Sequence, residues 1–322
     1  LTTPSIRKFP HGIHAIDTHY VRSGVAASHL IVRNARAAFV DVGANSSVPR
    51  LLAALETLGL AREDIDYVFI THVHLDHAGG AGKLLQALPN ARVLTHPRGA
   101  PHLIDPSRLE AGTRAVYGDS AYDAHYGKLI PIPAERVLSV SDGERITLGG
   151  SHFEFLYTPG HALHHLAIYD QAANSVFSGD AFGISYRVFD DPAGKPFIFP
   201  TTTPTQFDPD QMRASIDRIV ALEPQAIYLT HYSEVRDIAR LAGDLQHDIA
   251  HYVAVTEAEA KSESPGESTY HALRDYLTAR LKAHGSAATP EIRETWLAAD
   301  MKLNASGLLA WYHRRMHLPS RS

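Results

Sequence analysis

A chain of 322 residues can hold one large domain, or one domain with an appendage. It is 44% hydrophobic and 20% charged, which excludes a disordered or low-complexity protein. A formal net charge of −5 with no long basic run argues against a polynucleotide substrate, no apolar stretch reaches the roughly 20 residues of a membrane span, and the lack of cysteine excludes disulfides and leaves His, Asp and Glu to bind any metal.

Residues 1–10 lack the apolar core of a signal peptide, so a cytoplasmic location is expected, with the opening Leu1 consistent with a processed N terminus. Residues 12–19 read as a short strand, followed by a polar turn with His19, Tyr20, Arg22 and Ser23. The β-rich runs 27–32 and 37–42, joined by the turn 33–36, predict a hairpin whose second strand ends at Asp41. Val48, Leu51, Leu52 and Leu55 give residues 47–58 a helical period. The apolar run 65–70 predicts a strand that feeds Thr71-His72-Val73-His74-Leu75-Asp76-His77-Ala78-Gly79-Gly80, and a helix is expected over 82–88.

Residues 91–95 read as a strand. The segment 96–128 has no clean period and reads as a helical or looped insertion near the site. Further strands are expected over 143–148, 153–157, 166–169 and 175–178, with His161 and Asp180 just past two of them. An aromatic, proline-containing loop covers 182–207. A helix then runs from Asp208, its N-cap, to about residue 222, and the strand 225–229 ends in Thr230-His231. Beyond residue 233 the apolar period is helical throughout, with breaks at 262–268 and 285–290 that predict about four helices. The expected division is a catalytic domain over 1–232 and a helical subdomain over 233–322 that covers the site.

Three histidines and an aspartate within six residues, directly after a buried strand, cost stability unless something binds them. Imidazole and carboxylate donors suit Zn2+, and also Fe2+ or Mn2+. Two such ions roughly 3.5–4 Å apart can share a hydroxide, and a metal brings its water to a pKa of about 7.

The ordered set Asp41, Thr71-His72-x-His74-x-Asp76-His77, Gly160-His161, Gly179-Asp180 and Thr230-His231 resembles the metallo-β-lactamase superfamily over residues 12–231. The resemblance implies an α/β fold, the four-layer αβ/βα sandwich. It also implies a ligand set in which His72, His74 and His161 hold one metal, Asp76, His77 and His231 hold a second, and Asp180 bridges them. Asp76 and Asp180 would then be the catalytic carboxylates, and Asp41 would order the loops behind the ligands. The expected cofactors are two divalent ions, Zn2+ first, with Fe2+ or Mn2+ as alternatives.

The absence of cysteine excludes the β-lactamases that need one at the second site, and Asp180 argues against those that lack a bridging aspartate. His74 stands where flavodiiron oxidoreductases carry Glu. What the resemblance leaves is a hydrolase of carboxylic esters, thioesters or lactones, related to glyoxalase II and the lactonases. The lactonase tyrosine is missing, since Gly183 stands three residues after Asp180. Tyr20, Phe182, Tyr186 and Tyr232 are the candidate substrate-pocket residues. The expected partner is a small-molecule substrate, with no nucleic acid and no membrane, and a homodimer is allowed. The alternatives are a mononuclear-iron oxidoreductase similar to persulfide dioxygenases, and a metal-binding regulator without turnover.

Overall fold

In the computed structural model, which describes residues 4–202 and 205–317, the chain divides into two compact units. The first takes in the chain up to Tyr157, residues 164–179 and residues 223–236. The second takes in residues 158–163, residues 180–222 and the chain from 237 onward. Of the segments read above, residues 1–3, the loop residues 203–204 and residues 318–322 lie outside the described residues.

Both β-sheets belong to the first unit. One sheet contains β1 (Ile6–Phe9), β2 (Ile13–Asp17), β3 (Ala27–Arg33), β4 (Arg36–Val40), β5 (Ile65–Phe69), β6 (Arg92–Thr95) and β7 (Val137–Ser139), in that spatial order. β1 to β4 pair antiparallel, while β4 to β7 pair parallel. Parallel neighbours need a crossover between them. The crossovers here carry α1 (Val48–Leu58), then α2 (Leu75–Ala78) and α3 (Ala81–Ala87), then α4 (Ala100–Ile104), α5 (Ser107–Tyr117) and α6 (Asp119–His125). The second sheet contains β8 (Arg145–Leu148), β9 (Ser151–Tyr157), β10 (Leu166–Asp170), β11 (Ser175–Gly179), β12 (Ala226–Leu229) and β13 (Ser233–Val235). Its one parallel pair is β11 with β12.

Alternation along the strands makes two cores. Phe39, Val68 and Val93 point to the face covered by α1 and α3, where Val48, Leu51, Leu55, Leu84 and Leu85 meet them. Ala38, Val40, Phe69 and Leu94 point the other way and pack against Phe153, Phe155, Leu166, Ile168 and Phe177 of the second sheet. The Phe69 ring meets the edge of Phe155 at 5.2 Å between centroids. Each such buried phenylalanine contributes about 1.5–3 kcal/mol by leaving water. This is the α/β sandwich of two mixed sheets that the motif order implied.

The sequence reading missed β1, β7 and β13, which are only three or four residues long. β13 also corrects the reading of the tail. The chain first adds an antiparallel strand beside β12, and helices start at residue 238. Among the described residues the tail forms three helices, α8 (Ile238–Glu259), α9 (Pro265–His284) and α10 (Pro290–His317), rather than four. They share the second unit with α7 (Pro209–Val220), whose N-cap is Asp208 as expected, its carboxylate accepting from the Gln211 N–H at 2.9 Å. Within that unit Asn304 ties α10 to the preceding loop. Its side chain accepts from the Thr202 N–H at 2.7 Å and donates to the Pro200 carbonyl at 3.1 Å.

One core group makes stability depend on pH. His29 on β3 is fully buried between the rings of Phe177 and Tyr228. Burial lowers its pKa from 6.5 to about 4, against the smaller opposing pull of the Asp41 charge. The unfolded chain therefore binds more protons than the folded one between these values. His29 costs nothing above pH 6.5, and its neutral burial destabilises the fold progressively as pH falls toward 4, by about 3 kcal/mol in all. A His29→Phe variant should gain that amount on the wild type between pH 6.5 and 4 in denaturant titrations. A pH-independent difference between the two would contradict this.

Candidate metal centre

The residues of the candidate site lie past the C-terminal ends of β4, β5, β9, β11 and β12. In α/β sheets, ligands bind at this edge of the strands. Asp41 follows β4 and takes a left-handed backbone, φ 51°. It is 1% exposed, and its carboxylate is the hub of the first unit's site. One oxygen accepts the Thr71 N–H at 2.9 Å. The other accepts the Thr71 hydroxyl at 2.8 Å, the Thr230 hydroxyl at 2.9 Å and His77 Nδ1–H at 2.7 Å.

These bonds fix which nitrogen each histidine presents. A carboxylate only accepts, so His77 carries its proton on Nδ1 and turns Nε2 toward the site. The Thr71 hydroxyl spends its proton on Asp41, so its oxygen accepts from His72 Nδ1–H at 3.1 Å, which leaves His72 Nε2 as the electron-pair donor. His231 Nδ1–H donates to the Val25 carbonyl at 2.8 Å, again leaving Nε2. A histidine whose second nitrogen is held in this way is the usual form of a metal ligand.

The resulting donors are close together. His231 Nε2 lies 3.2 Å and His77 Nε2 3.8 Å from Asp76 Oδ2. Three ligands at 2.0–2.2 Å around a tetrahedral ion would sit about 3.4 Å apart, so this trio fits one divalent cation. His72 Nε2 and His74 Nδ1 are 2.8 Å apart and form the beginning of a second such set. Asp76 and His77 sit on the short helix α2 rather than in a loop, because the Ala78 N–H and the His77 N–H both return to the His74 carbonyl.

The second unit carries the other two residues read as ligands. His161 is buried and its Nδ1–H donates to the Thr201 carbonyl at 3.3 Å, so Nε2 again remains, 3.3 Å from Asp180 Oδ2. The turn before His161 is built around Gly160, at φ 127°. A Cβ there would come within 2.3 Å of the Met212 backbone, and the Gly160 carbonyl accepts from the Asp208 N–H at 2.8 Å.

The pocket residues read from sequence fall in different places. Tyr20 belongs to the first unit and bonds the Tyr126 hydroxyl. Tyr232 is half-buried in the same unit. Phe182 and Tyr186 are buried in the second unit, where Tyr186 packs on Phe199 and Trp296. Gly183 leaves no room for a side chain, since a Cβ would stand 2.6 Å from the Phe199 carbonyl and 2.7 Å from Leu245. The missing tyrosine at this position is therefore a steric requirement of the loop.

Sequence reasoning missed Thr71 and Thr230, the two hydroxyls on Asp41. The signal was present, since the two strands before these candidate ligands end in Thr71-His72 and Thr230-His231. His164, which follows the Gly160-His161 motif, reads from the sequence as a surface or strand-face residue, with a supporting role behind the ligands as the alternative. His164 is in fact buried, its ring 5.8 Å from that of His74.

A family model described as the metallo-beta-lactamase superfamily matches residues 22–231. The chain belongs to the metallo-beta-lactamase superfamily. Among superfamily relatives, the metallo-beta-lactamase fold-containing protein ST1585 of Sulfurisphaera tokodaii is 26% identical over 224 residues, 68% of this chain and 78% of that one. A hydroxyacylglutathione hydrolase of Aeromonas hydrophila is 29% identical over 193 residues, 60% of this chain and a little over half, 55%, of the relative. Among solved superfamily structures, TTHA1429 of Thermus thermophilus superposes with a TM-score of 0.66 at 18% identity, covering 96% of this chain and 95% of that one. The crystal structure of ST1585 gives 0.61 at 22% identity, covering 85% and 98%. At these identities the two superpositions speak for the superfamily fold.

Proposed function

We propose that the protein is a dinuclear metal-dependent hydrolase that cleaves a carboxylic ester, a thioester or a lactone of a small molecule. In this reading His72, His74 and His161 hold one cation, Asp76, His77 and His231 hold the other, and Asp180 is shared. Superfamily membership and the order of the motifs along the chain support the assignment. The observation that carries it is the fixed direction of the imidazoles. His72, His77, His161 and His231 each spend Nδ1–H on Thr71, Asp41, a carbonyl of Thr201 and a carbonyl of Val25, which leaves Nε2 as the electron-pair donor a cation would need.

Two divalent cations, Zn2+ first and Fe2+ or Mn2+ as alternatives, would supply Lewis acidity and bring the pKa of a water toward about 7. The protein's own part is electrostatic and positional. Asp41 neutralises and orients the His77 side of the site. Asp76 and Asp180, the two carboxylates of the set, would take up the proton released when water adds to the carbonyl. The likeness to hydroxyacylglutathione hydrolases supports an ester-type substrate without choosing among the three classes.

The test is a panel of esters, thioesters and lactones assayed with protein of measured metal content. The expected outcome is hydrolysis within at least one class that is lost on chelation and restored by the metal. A fully loaded protein that hydrolyses none of them would overturn the reading, and dependence on a single iron and molecular oxygen would replace it with the oxidoreductase alternative.

A further inference from the structure

The helix α10 carries one amide in an otherwise apolar buried stripe. Leu297, Met301, Asn304, Leu308 and Trp311 recur along one side of it and are all buried. A buried amide costs free energy unless its groups find partners. Asn304 finds them in one short segment of the same unit. Its side-chain oxygen accepts the Thr202 N–H at 2.7 Å, its amide nitrogen donates to the Pro200 carbonyl at 3.1 Å, and its backbone carbonyl accepts the Thr202 hydroxyl at 2.9 Å. A backbone N–H only donates and a carbonyl only accepts, so the direction of each bond is settled.

The residue between these two anchors is Thr201, whose carbonyl accepts His161 Nδ1–H at 3.3 Å. That length is at the long end for N–H···O, so a small displacement of the carbonyl would break the bond. The rest of the His161 turn is tied to the chain that follows. The Pro159 carbonyl accepts the Ser215 hydroxyl at 2.6 Å, the Gly160 carbonyl accepts the Asp208 N–H at 2.8 Å, and the Leu163 N–H donates to the Gln206 side chain at 2.9 Å. Arg314, exposed on the last turn of α10, donates to the Phe207 carbonyl at 2.6 Å and also to the Thr205 carbonyl. All of these residues belong to the second unit.

We propose that Asn304 is a positioning residue for His161. By holding residues 200–202, α10 keeps the Thr201 carbonyl where it fixes the His161 proton on Nδ1, which leaves Nε2 as the electron-pair donor for a cation. The inference rests on the reading that His161 is a metal ligand. It goes beyond that reading by giving the helical tail a part in metal affinity, where a purely structural tail would have none.

The test uses the full chain as wild type, Asn304→Ala, Asn304→Asp, Arg314→Gln and Leu308→Ala. Zn2+ binding to metal-free protein is followed by calorimetry and native mass spectrometry. The His161 tautomer is followed by heteronuclear NMR of the imidazoles, assigned against His161→Gln. Asn304→Ala should weaken one of the two ions by about 10- to 100-fold and turn His161 into a mixture of tautomers. Asn304→Asp keeps the acceptor for Thr202 and loses the donor to Pro200, so its loss on the same ion should be smaller. Arg314→Gln should shift both readouts in the same direction by less again. Leu308→Ala is the control, since it removes packing from the same stripe and no side-chain hydrogen bond. It should lower the melting temperature and leave the tautomer and both ions as in the wild type. An unaltered tautomer and unaltered binding in a folded Asn304 variant, or an equal change in Leu308→Ala, would overturn the positioning role and leave the hydrolase reading intact. If neither Asn304 variant folds, unchanged readouts in Arg314→Gln overturn it. A wild type that binds no Zn2+ overturns both readings. A wild type that binds two ions, shows the expected differences among the variants and yet hydrolyses nothing overturns the hydrolase reading alone.

Discussion

Asp41→Ala is expected to lower stability by about 3–5 kcal/mol and to abolish tight binding of the second metal ion in the same step. The first effect follows from what the carboxylate satisfies. Its removal strands the Thr71 N–H, the Thr71 and Thr230 hydroxyls and His77 Nδ1–H, all in the interior. A buried donor left without an acceptor costs about 1–3 kcal/mol. The second effect follows because His77 loses the bond that fixes its tautomer. Asp41→Asn separates the two. It keeps the volume and accepts some of the donors, so melting temperature should recover in large part, while metal affinity stays down by about 10- to 100-fold because an amide nitrogen facing His77 favours the wrong tautomer. Thermal melts and metal titrations of the two variants check this. An Asp41→Ala protein as stable as the wild type would contradict the hub.

His77→Ala should have the largest effect on turnover. The side chain is fully buried and links Asp41 on one side to Asp76 and His231 on the other. Truncation removes one of three donors and takes from the Asp41 carboxylate its 2.7 Å bond to His77 Nδ1–H. The loss of the second ion should reduce kcat/KM by at least about 100-fold, the scale seen when a single preorganised electrostatic group is deleted from an active site. The comparison to make is with Tyr122→Phe, which touches none of the ligands and should leave the rate near that of the wild type. Steady-state kinetics on whichever substrate the panel identifies decides it, and a His77→Ala enzyme of normal kcat/KM would remove the second site from the mechanism.

The candidate ligands were legible in the sequence because they are closely spaced or follow strongly apolar strands, so that Thr71 to Gly80 stands out without any tertiary information. Asp41 was legible as a strand-end acid. Its actual work was not, because it is done through partners 30 to 189 positions away. The Val25 and Thr201 carbonyls were invisible for a different reason, since any residue type can supply a backbone carbonyl. The insertion gave no period because α5 buries none of its residues and so has no apolar stripe to show. The extra strand β13 was lost within the helical signal that starts three residues later. In the aromatic loop over 182–207, Tyr186 and Phe199 are packed in the second unit's interior. Composition reports that aromatic residues are buried but does not report what they face.

In the proposed reaction, water would be activated by two cations held by these side chains. Its most direct measurement is hydrolytic rate against metal stoichiometry, with Zn2+ added stepwise to metal-free protein. Little activity is expected up to one ion per chain, with a rise that ends at two, and Asp76→Ala should stop at one ion with little activity. Full activity at one ion per chain, undiminished in Asp76→Ala, would contradict it.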